Sequence, residues 1–133
     1  MKKLITLILV LAFALTVVGG SSVTAEGAAL LKSGEVGKVT VTSQPEYYNY
    51  SFSGDDAKAI VDYISGLHLI ADFSENPDVY GGMTWVISIE YEDGDVLTVY
   101  HFGNFIRTAG GSWYKMTYEE ASRFDVLLNE LNN

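Results

Sequence analysis

The sequence has no cysteine, only two prolines, and 8 lysines and arginines against 17 aspartates and glutamates. The absence of cysteine excludes disulfide bonds, thiolate ligands for zinc and a thiol nucleophile. Stability outside the cell would therefore have to come from packing of the core. The formal net charge of −9 argues against nucleic acid and anionic membranes as partners, because both would repel the protein.

Residues that carry catalysis are also scarce. The two histidines, His68 and His101, do not belong to a pair with metal-ligand spacing, so no histidine metal site is predicted. His101 alternates with the apolar residues Leu97 and Val99, which is typical of a half-buried strand histidine. No serine stands in a G-x-S-x-G motif. The sequence therefore predicts no catalytic residue, no metal ligand and no cofactor.

The first 25 residues have the pattern of a secretory signal peptide. Two lysines precede an apolar run from Leu4 to Val18, and small residues follow as far as Ala25, after which we expect cleavage. The run is shorter than the roughly 20 residues that span a membrane. We therefore expect a secreted protein with a flexible lead-in over residues 26–37 and a single domain over residues 38–133.

A β-hairpin over Met83–Phe102 is predicted as the centre of the fold. Odd positions of its first half are apolar, a period of two that indicates a strand with one buried face. A type I turn followed by Gly94 in the left-handed conformation would place Ile89 opposite Leu97. A two-residue turn would instead exchange the faces of the second strand. The preferred register points Val86, Tyr100 and Phe102 away from the core. 

Two amphipathic helices are predicted around this hairpin. Ser53–Asp56 is a helix start, and apolar residues follow at helical spacing as far as Leu67. Thr117–Glu120 is a capping box that opens a second helix. Shorter strands are predicted within residues 38–42, 48–52, 68–73, 105–109 and 112–116. The fold class is therefore α+β, a two-layer sandwich with an antiparallel meander sheet of about four to six strands and both helices on one face.

The uncovered sheet face is the predicted binding surface. Two helices cover one face of such a sheet, and an apolar face left open usually marks a partner site. The irregular segment Ser74–Gly82 is the longest between elements, and function concentrates in such loops. The residues predicted to bind come from the hairpin and this loop: Val86, Tyr100, Phe102, Tyr80 and Asp78.

Two further features leave alternatives open. Tyr47, Tyr48 and Tyr50 form the densest aromatic group, and such rings stack on sugars, anchor protein contacts or, most commonly, pack against a sheet. The acidic segments Asp72–Asp78 and Glu92–Asp95 concentrate oxygen ligands, but neither matches a calcium-binding EF-hand loop. Paired carboxylates also serve glycoside hydrolysis, and with 17 acids some pair reaches the required separation by chance.

Several motifs together resemble small exported envelope proteins of Gram-positive bacteria. These motifs are the lysine-led leader, the I-x-I-x-Y-x-D-G hairpin at Ile87–Gly94, the G-x-W-Y segment at Gly111–Tyr114 and the closing amphipathic helix. Many such proteins carry a lipidated cysteine at the end of the leader, where this chain has Gly20. The resemblance implies export and assigns no catalytic residue.

The sequence thus favours a non-catalytic secreted binding module that recognises a protein or cell-envelope component through an aromatic sheet face. The alternative is a small cell-wall or glycan hydrolase that uses a carboxylate pair. Neither the ligand nor the oligomeric state follows from the sequence.

Overall fold

The computed structural model describes residues 16–18, 22–71 and 75–133, which form nine strands, two α-helices and two short 3-10 helices. The strands are β1 (Thr16–Val18), β2 (Ser22–Glu26), β3 (Val36–Gln44), β4 (Asn49–Ser53), β5 (His68–Ala71), β6 (Thr84–Tyr91), β7 (Val96–Phe102), β8 (Phe105–Thr108) and β9 (Tyr114–Lys115). The α-helices are α1 (Gly54–Ser65) and α2 (Tyr118–Leu131), and the 3-10 helices are Gly27–Leu30 and Pro77–Val79.

All strands pair into one antiparallel sheet in the order β1-β2-β5-β9-β8-β7-β6-β3-β4. The α+β class is confirmed, but the predicted strand number of about four to six is too low. The additional strands are β1 and β2, which pair with each other. β2 also joins the rest of the sheet, because its Val23 and Ala25 lie opposite Ala71 and Leu69 of β5. The small residues of β2 give a weak strand signal, and the sequence pattern assigned them to the end of a leader.

The predicted register of the central hairpin is confirmed. Ile89 pairs with Leu97, Ile87 with Val99 and Ser88 with Thr98. Gly94 has φ +94°, the left-handed conformation that a glycine bulge after a type I turn requires. This register turns Ile87, Ile89 and Val99 into the core, where none of the three is solvent-accessible.

The core lies between the sheet and the helices. Side chains of both helices belong to the same buried cluster as alternate residues of β3, β6, β7 and β8, so they pack on one side of the sheet. The largest fully buried side chains are Phe124, Ile60, Ile64, Leu69, Ile87, Ile89, Ile106, Val39, Val41 and Val99. We call the opposite side of the sheet the outer face.

The two helices begin differently. Ser53 occupies the N-cap position of α1, which confirms the predicted helix start, but its side chain makes no cap hydrogen bond with the described residues. The N-cap of α2 is confirmed, because the Glu120 N–H donates to Thr117 Oγ1 at 3.1 Å. The reciprocal bond of a capping box is replaced, because the Glu120 carboxylate accepts from the Thr117 hydroxyl at 3.3 Å. The Glu120 carboxylate also accepts from the His68 backbone N–H at 3.0 Å. Although burial favours its neutral form, hydrogen bonds from His68 and Thr117 outweigh burial and lower the pKa of Glu120.

The segment predicted as a flexible lead-in is packed against the domain. The Gly27 N–H donates to the Leu67 carbonyl at 2.7 Å, and a Cβ at Gly27 would lie 1.6 Å from the Ile64 carbonyl oxygen, so only glycine fits there. The expected cleavage point after Ala25 falls inside β2, and residue 38 falls inside β3. Export stays a prediction. None of the helices described is long and apolar enough to cross a membrane.

The second hairpin departs from the prediction at its turn. Strands within residues 105–109 and 112–116 leave only Gly110-Gly111 as the turn, but Ile106 pairs with Tyr114 and Phe105 with Lys115, so the connection between β8 and β9 is longer. The register leaves Trp113 outside the ladder. Its indole instead lies on the outer face, where it contacts Arg107 of β8 and Asp78 of the loop before β6.

Candidate functional site

The outer face of β6 and β7 carries three of the five predicted binding residues. Val86 and Tyr100 each lie between residues that point into the core, Phe102 follows the buried residue His101, and all three are half-buried. Val86 is the cross-strand partner of Tyr100, so their side chains share one face. The predicted orientation of these residues is therefore correct.

The tight turn at Gly103-Asn104 adds two residues of β8 to this face. Phe105 pairs with Phe102, and Arg107 pairs with Tyr100. Gly103 has φ +54°, a conformation that glycine adopts without steric cost. The turn length therefore fixes which β8 side chains stand beside the aromatic rings of β7.

Arg107 lies between two aromatic rings. Its guanidinium carbon is 4.6 Å from the centroid of Tyr100 and 5.1 Å from that of Trp113. Nη1 donates to the Thr108 carbonyl at 3.3 Å, while the buried Nε–H has no hydrogen-bond partner among the residues that the structure describes. Among the residues described, no carboxylate lies within ion-pair distance of Arg107. The cation is thus held by cation–π contacts with these two rings.

The loop before β6 folds over one end of the outer face. Tyr80 lies 6.5 Å from Phe105 between ring centroids, and Trp113 meets Phe105 edge-on at 6.3 Å. Phe105 is consequently only 6% exposed. Gly82, with φ +134°, approaches the ring of Phe102 so closely that a Cβ would lie 3.2 Å from it. We define the outer-face cluster as Tyr80, Tyr100, Phe102, Phe105, Arg107 and Trp113.

Polar contacts hold this loop in place. The Trp113 indole N–H donates to Asp78 Oδ1 at 3.0 Å, and the Tyr80 hydroxyl donates to Glu75 Oε2 at 3.2 Å. Glu75 also forms an ion pair with Lys115. The hydrogen bond to Glu75 raises the pKa of the Tyr80 phenol, because the phenolate would lose it. Both loop carboxylates therefore bind side chains outside the loop, Asp78 that of Trp113 and Glu75 that of Lys115.

A depression of about 440 Å³ opens beside Arg107, a volume within the range of ligand clefts. A Ser-x-x-Lys sequence, Ser112–Lys115, runs along it. That motif serves catalysis when a helix brings its serine and lysine together, but here it leads into β9 and Lys115 binds Glu75. The depression is lined by Glu75, Asn76, Asp78, Arg107, Ser112 and Trp113, among others.

The structure brings all five predicted residues onto one continuous surface. Val86 adjoins Tyr100, Phe102 adjoins Phe105, Tyr80 contacts Phe105, and Asp78 holds Trp113. Phe105, Arg107 and Trp113 also belong to this surface, and the sequence did not predict them as site residues. A signal for the first two existed, because a two-residue turn at Gly103-Asn104 dictates their cross-strand partners. No local sequence pattern predicts that Trp113 belongs to the site, because it lies in an irregular segment.

The acidic segments have structural partners. Asp95 forms an ion pair with Lys32 at 2.9 Å, and Asp93 binds the same lysine. Asp72 and its two neighbours lie outside the described residues. In the part of the chain that is described, no three acidic, histidine or cysteine side chains come together as metal ligands.

His101 is buried on the core side of β7, more deeply than the half-buried position predicted. It is 3% exposed, its ring stacks on Phe124 at 5.1 Å, and its Nε2 lies 3.0 Å from the Tyr63 hydroxyl. That hydroxyl donates to the Glu120 carbonyl at 2.9 Å, so it accepts from Nε2. Burial lowers the pKa of His101 to about 4. His101 is therefore a neutral residue of the core.

Comparison with known proteins adds no family assignment. The chain matches no protein-family model, no curated protein and no solved structure.

Proposed function

We propose that this protein is an exported, non-catalytic binding module that engages a protein partner through the outer-face cluster. The observation that carries the proposal is the guanidinium of Arg107, in cation–π contact with Tyr100 and Trp113 beside an open depression. The helices occupy the other side of the sheet, so a two-layer arrangement leaves this surface available.

The composition of the cluster favours a protein as the ligand. Tryptophan, tyrosine and arginine are the residues that most often dominate binding energy at protein interfaces. Here all three are in contact before any partner arrives. Since cation–π contacts and the Trp113–Asp78 hydrogen bond already restrict these side chains, binding would cost less conformational entropy.

A glycan hydrolase is the second candidate, because Glu75 and Asp78 both line the depression. A carboxylate pair must be free to exchange protons or attack the substrate. Each of these groups instead binds a side chain that holds the loop, Asp78 to Trp113 and Glu75 to Lys115 and Tyr80. This arrangement favours a structural role for both. Release of sugars that persists in Arg107→Ala and disappears in Asp78→Asn would instead support the hydrolase.

The binding proposal is tested with variants that preserve the fold. The protein, tagged at its C terminus, is exposed to envelope proteins of its source organism, and a captured partner is purified for titration. Arg107→Ala and Tyr100→Ala should each raise the Kd of that partner about tenfold or more, the effect of removing an interface hot spot.

Val96→Ala supplies the matched control. Val96 is 59% exposed, lies on the same face of β7 and is outside the cluster. Its replacement should leave the Kd unchanged. A partner that binds native protein, Arg107→Ala and Tyr100→Ala equally well would contradict the proposal, as would capture of cell wall alone with no dependence on either variant.

A further inference from the structure

A second aromatic surface lies on the helix side of the sheet, at its β4 edge. Tyr48 and Tyr50 stack with ring centroids 6.0 Å apart and an interplanar angle of 22°. Trp85 of β6 adjoins both, at 5.6 Å from Tyr48 and 6.5 Å from Tyr50. Three neighbouring rings thus form a continuous wall. Tyr48 is 45% exposed, so this wall is accessible to solvent.

The wall is held from beneath and from one side. Trp85 packs edge-on against Phe124 of α2 at 6.0 Å, and Phe124 is completely buried. The turn before Tyr48 is fixed by the buried hydroxyl of Ser43, which accepts from the backbone N–H groups of Tyr47 and Tyr48 at 2.8 and 3.0 Å. The rings therefore occupy defined positions without a ligand.

Helix α2 supplies an opposing polar wall. Asp125, Asn129 and Asn132 lie four and three residues apart, so they share one face of the helix. Together with the three rings they line a depression of about 360 Å³. No hydrogen bond within the described residues uses the hydroxyls of Tyr48 and Tyr50 or the amide of Asn129. Both walls therefore present hydrogen-bond donors and acceptors that have no partner among the described residues.

The depression continues along the helix. A second one of about 370 Å³ shares Met83, Trp85 and Asp125 with the first and ends at Tyr118. Tyr118 is 77% exposed. The two together follow α2 from its first residue to the residue after its end, about 20 Å for a helix of this length. We call this continuous feature the α2 groove.

We propose that the α2 groove binds an uncharged oligosaccharide chain. A pyranose ring has flat C–H faces that suit the aromatic wall, and its hydroxyl groups both donate and accept hydrogen bonds, as the amide of Asn129 does. The Asn132 amide nitrogen already donates to the Leu128 carbonyl at 2.8 Å. The length of the groove fits several sugar units in a row. This site lies on the other side of the sheet from the outer-face cluster and does not depend on it.

The charge of the groove excludes other ligand classes. Among the described residues that line it, Asp125 is the only one with a formally charged side chain, and the chain as a whole carries a net charge of −9. Anionic polymers and phosphate groups would therefore be repelled. A basic peptide carries several cations, and the groove offers a single carboxylate to pair with them. Neutral hydroxyl groups match this lining better.

The two tryptophans of the chain permit a direct test. Trp113 lies in the outer-face cluster, so a Trp113→Phe protein retains Trp85 in the groove as its only tryptophan. Cellohexaose and N-acetylated chitohexaose are titrated into this protein while its fluorescence is followed, and calorimetry on the native chain provides an independent Kd. At least one of the two sugars should produce a saturable fluorescence change that is insensitive to salt.

The variants locate the site. Tyr48→Ala and Asn129→Ala should each raise the Kd about tenfold, as loss of one well-placed contact does. Tyr47→Ala is the matched control, because Tyr47 is adjacent in the same turn, 72% exposed and absent from the groove lining. It should leave the Kd unchanged. Melting curves of all variants confirm that they fold.

Three results would overturn the proposal: no saturable binding of either sugar, equal losses in Tyr47→Ala and Tyr48→Ala, or salt-sensitive binding of oligolysine with none of either sugar. Arg107→Ala separates this site from the proposed protein-binding surface, since it should leave the sugar Kd unchanged.

Discussion

The outer-face cluster and the α2 groove present similar aromatic rings in opposite electrostatic settings. In the cluster the rings enclose Arg107, and a loop with two carboxylates is bonded over them. In the groove the rings face Asp125 and two asparagines, and no lining residue in the described part of the chain is a cation. The aromatic residues alone would not distinguish the two surfaces. Their polar neighbours suggest a protein for one and a neutral glycan for the other.

The two surfaces also differ in what supports them. Phe124, in the middle of the core, supports the groove wall through Trp85. The cluster is secured at its edge by hydrogen bonds and an ion pair. Packing in a core contributes more to stability than a single surface hydrogen bond does. Variants beneath the groove should therefore destabilise the protein more than variants in the cluster.

Phe124→Ala should have the largest effect. Phe124 is completely buried and contacts Trp85, Tyr63 and His101. Its removal leaves a cavity, for which we expect a loss of about 3–5 kcal/mol in the free energy of unfolding. Urea denaturation measures this loss. A value below about 1 kcal/mol would show that the groove wall does not depend on the core.

The pH dependence of stability should reveal the buried imidazole on the groove side. The pKa of His101 falls from 6.5 to about 4 on folding, so between these values the unfolded chain holds a proton that the folded chain lacks. Its contribution to stability is complete above pH 6.5 and declines as the pH falls towards 4. The loss should approach about 3 kcal/mol.

A His101→Gln variant isolates this contribution. Carboxylates such as Glu120 also lose stabilising interactions in acid, so the native protein alone does not identify the source. The difference between native and variant unfolding free energies should change with pH between 6.5 and 4 and stay constant above 7. Parallel pH profiles for both proteins would contradict burial of a neutral His101.

Local periodicity predicted the parts of the fold that depend on neighbouring residues. The alternation in β6 and the glycine after Glu92-Asp93 together determined the central register. By the same logic, Val86, Tyr100 and Phe102 were assigned to the outer face correctly. Long-range pairing was not predicted, because β2 joins β5 across more than 40 residues and its small side chains carry no distinctive pattern.

The candidate sites were predictable to different degrees. Tyr48 and Tyr50 stood out as an aromatic group, but their proximity to Asn129 depends on how α2 crosses the sheet. Tertiary packing determines that crossing, and sequence spacing does not encode it. Trp113 was missed for a similar reason, since it contacts Asp78 only because the loop before β6 folds back over β8. Contacts between residues that loops or helix packing bring together are therefore not predicted by local sequence patterns.

The double variant Tyr100→Ala, Phe102→Ala should have an intermediate effect. Both rings are half-buried, and complete burial of a side chain of this size contributes roughly 1.5–3 kcal/mol. We expect the pair together to lower the unfolding free energy by about 2 kcal/mol. A loss above about 5 kcal/mol would place these rings in the core and remove the distinction between a supported groove wall and an open outer face.

Trp113→Phe should have the smallest effect, because it keeps an aromatic ring beside Arg107 and removes chiefly the hydrogen bond to Asp78. We expect a loss of about 1 kcal/mol. Asp78→Ala should remove the same bond, so a double-mutant cycle should give a coupling energy of about 1 kcal/mol between the two positions. Additive losses would mean that the indole does not hold the loop. The cluster would then resemble the groove, with rings positioned by packing alone.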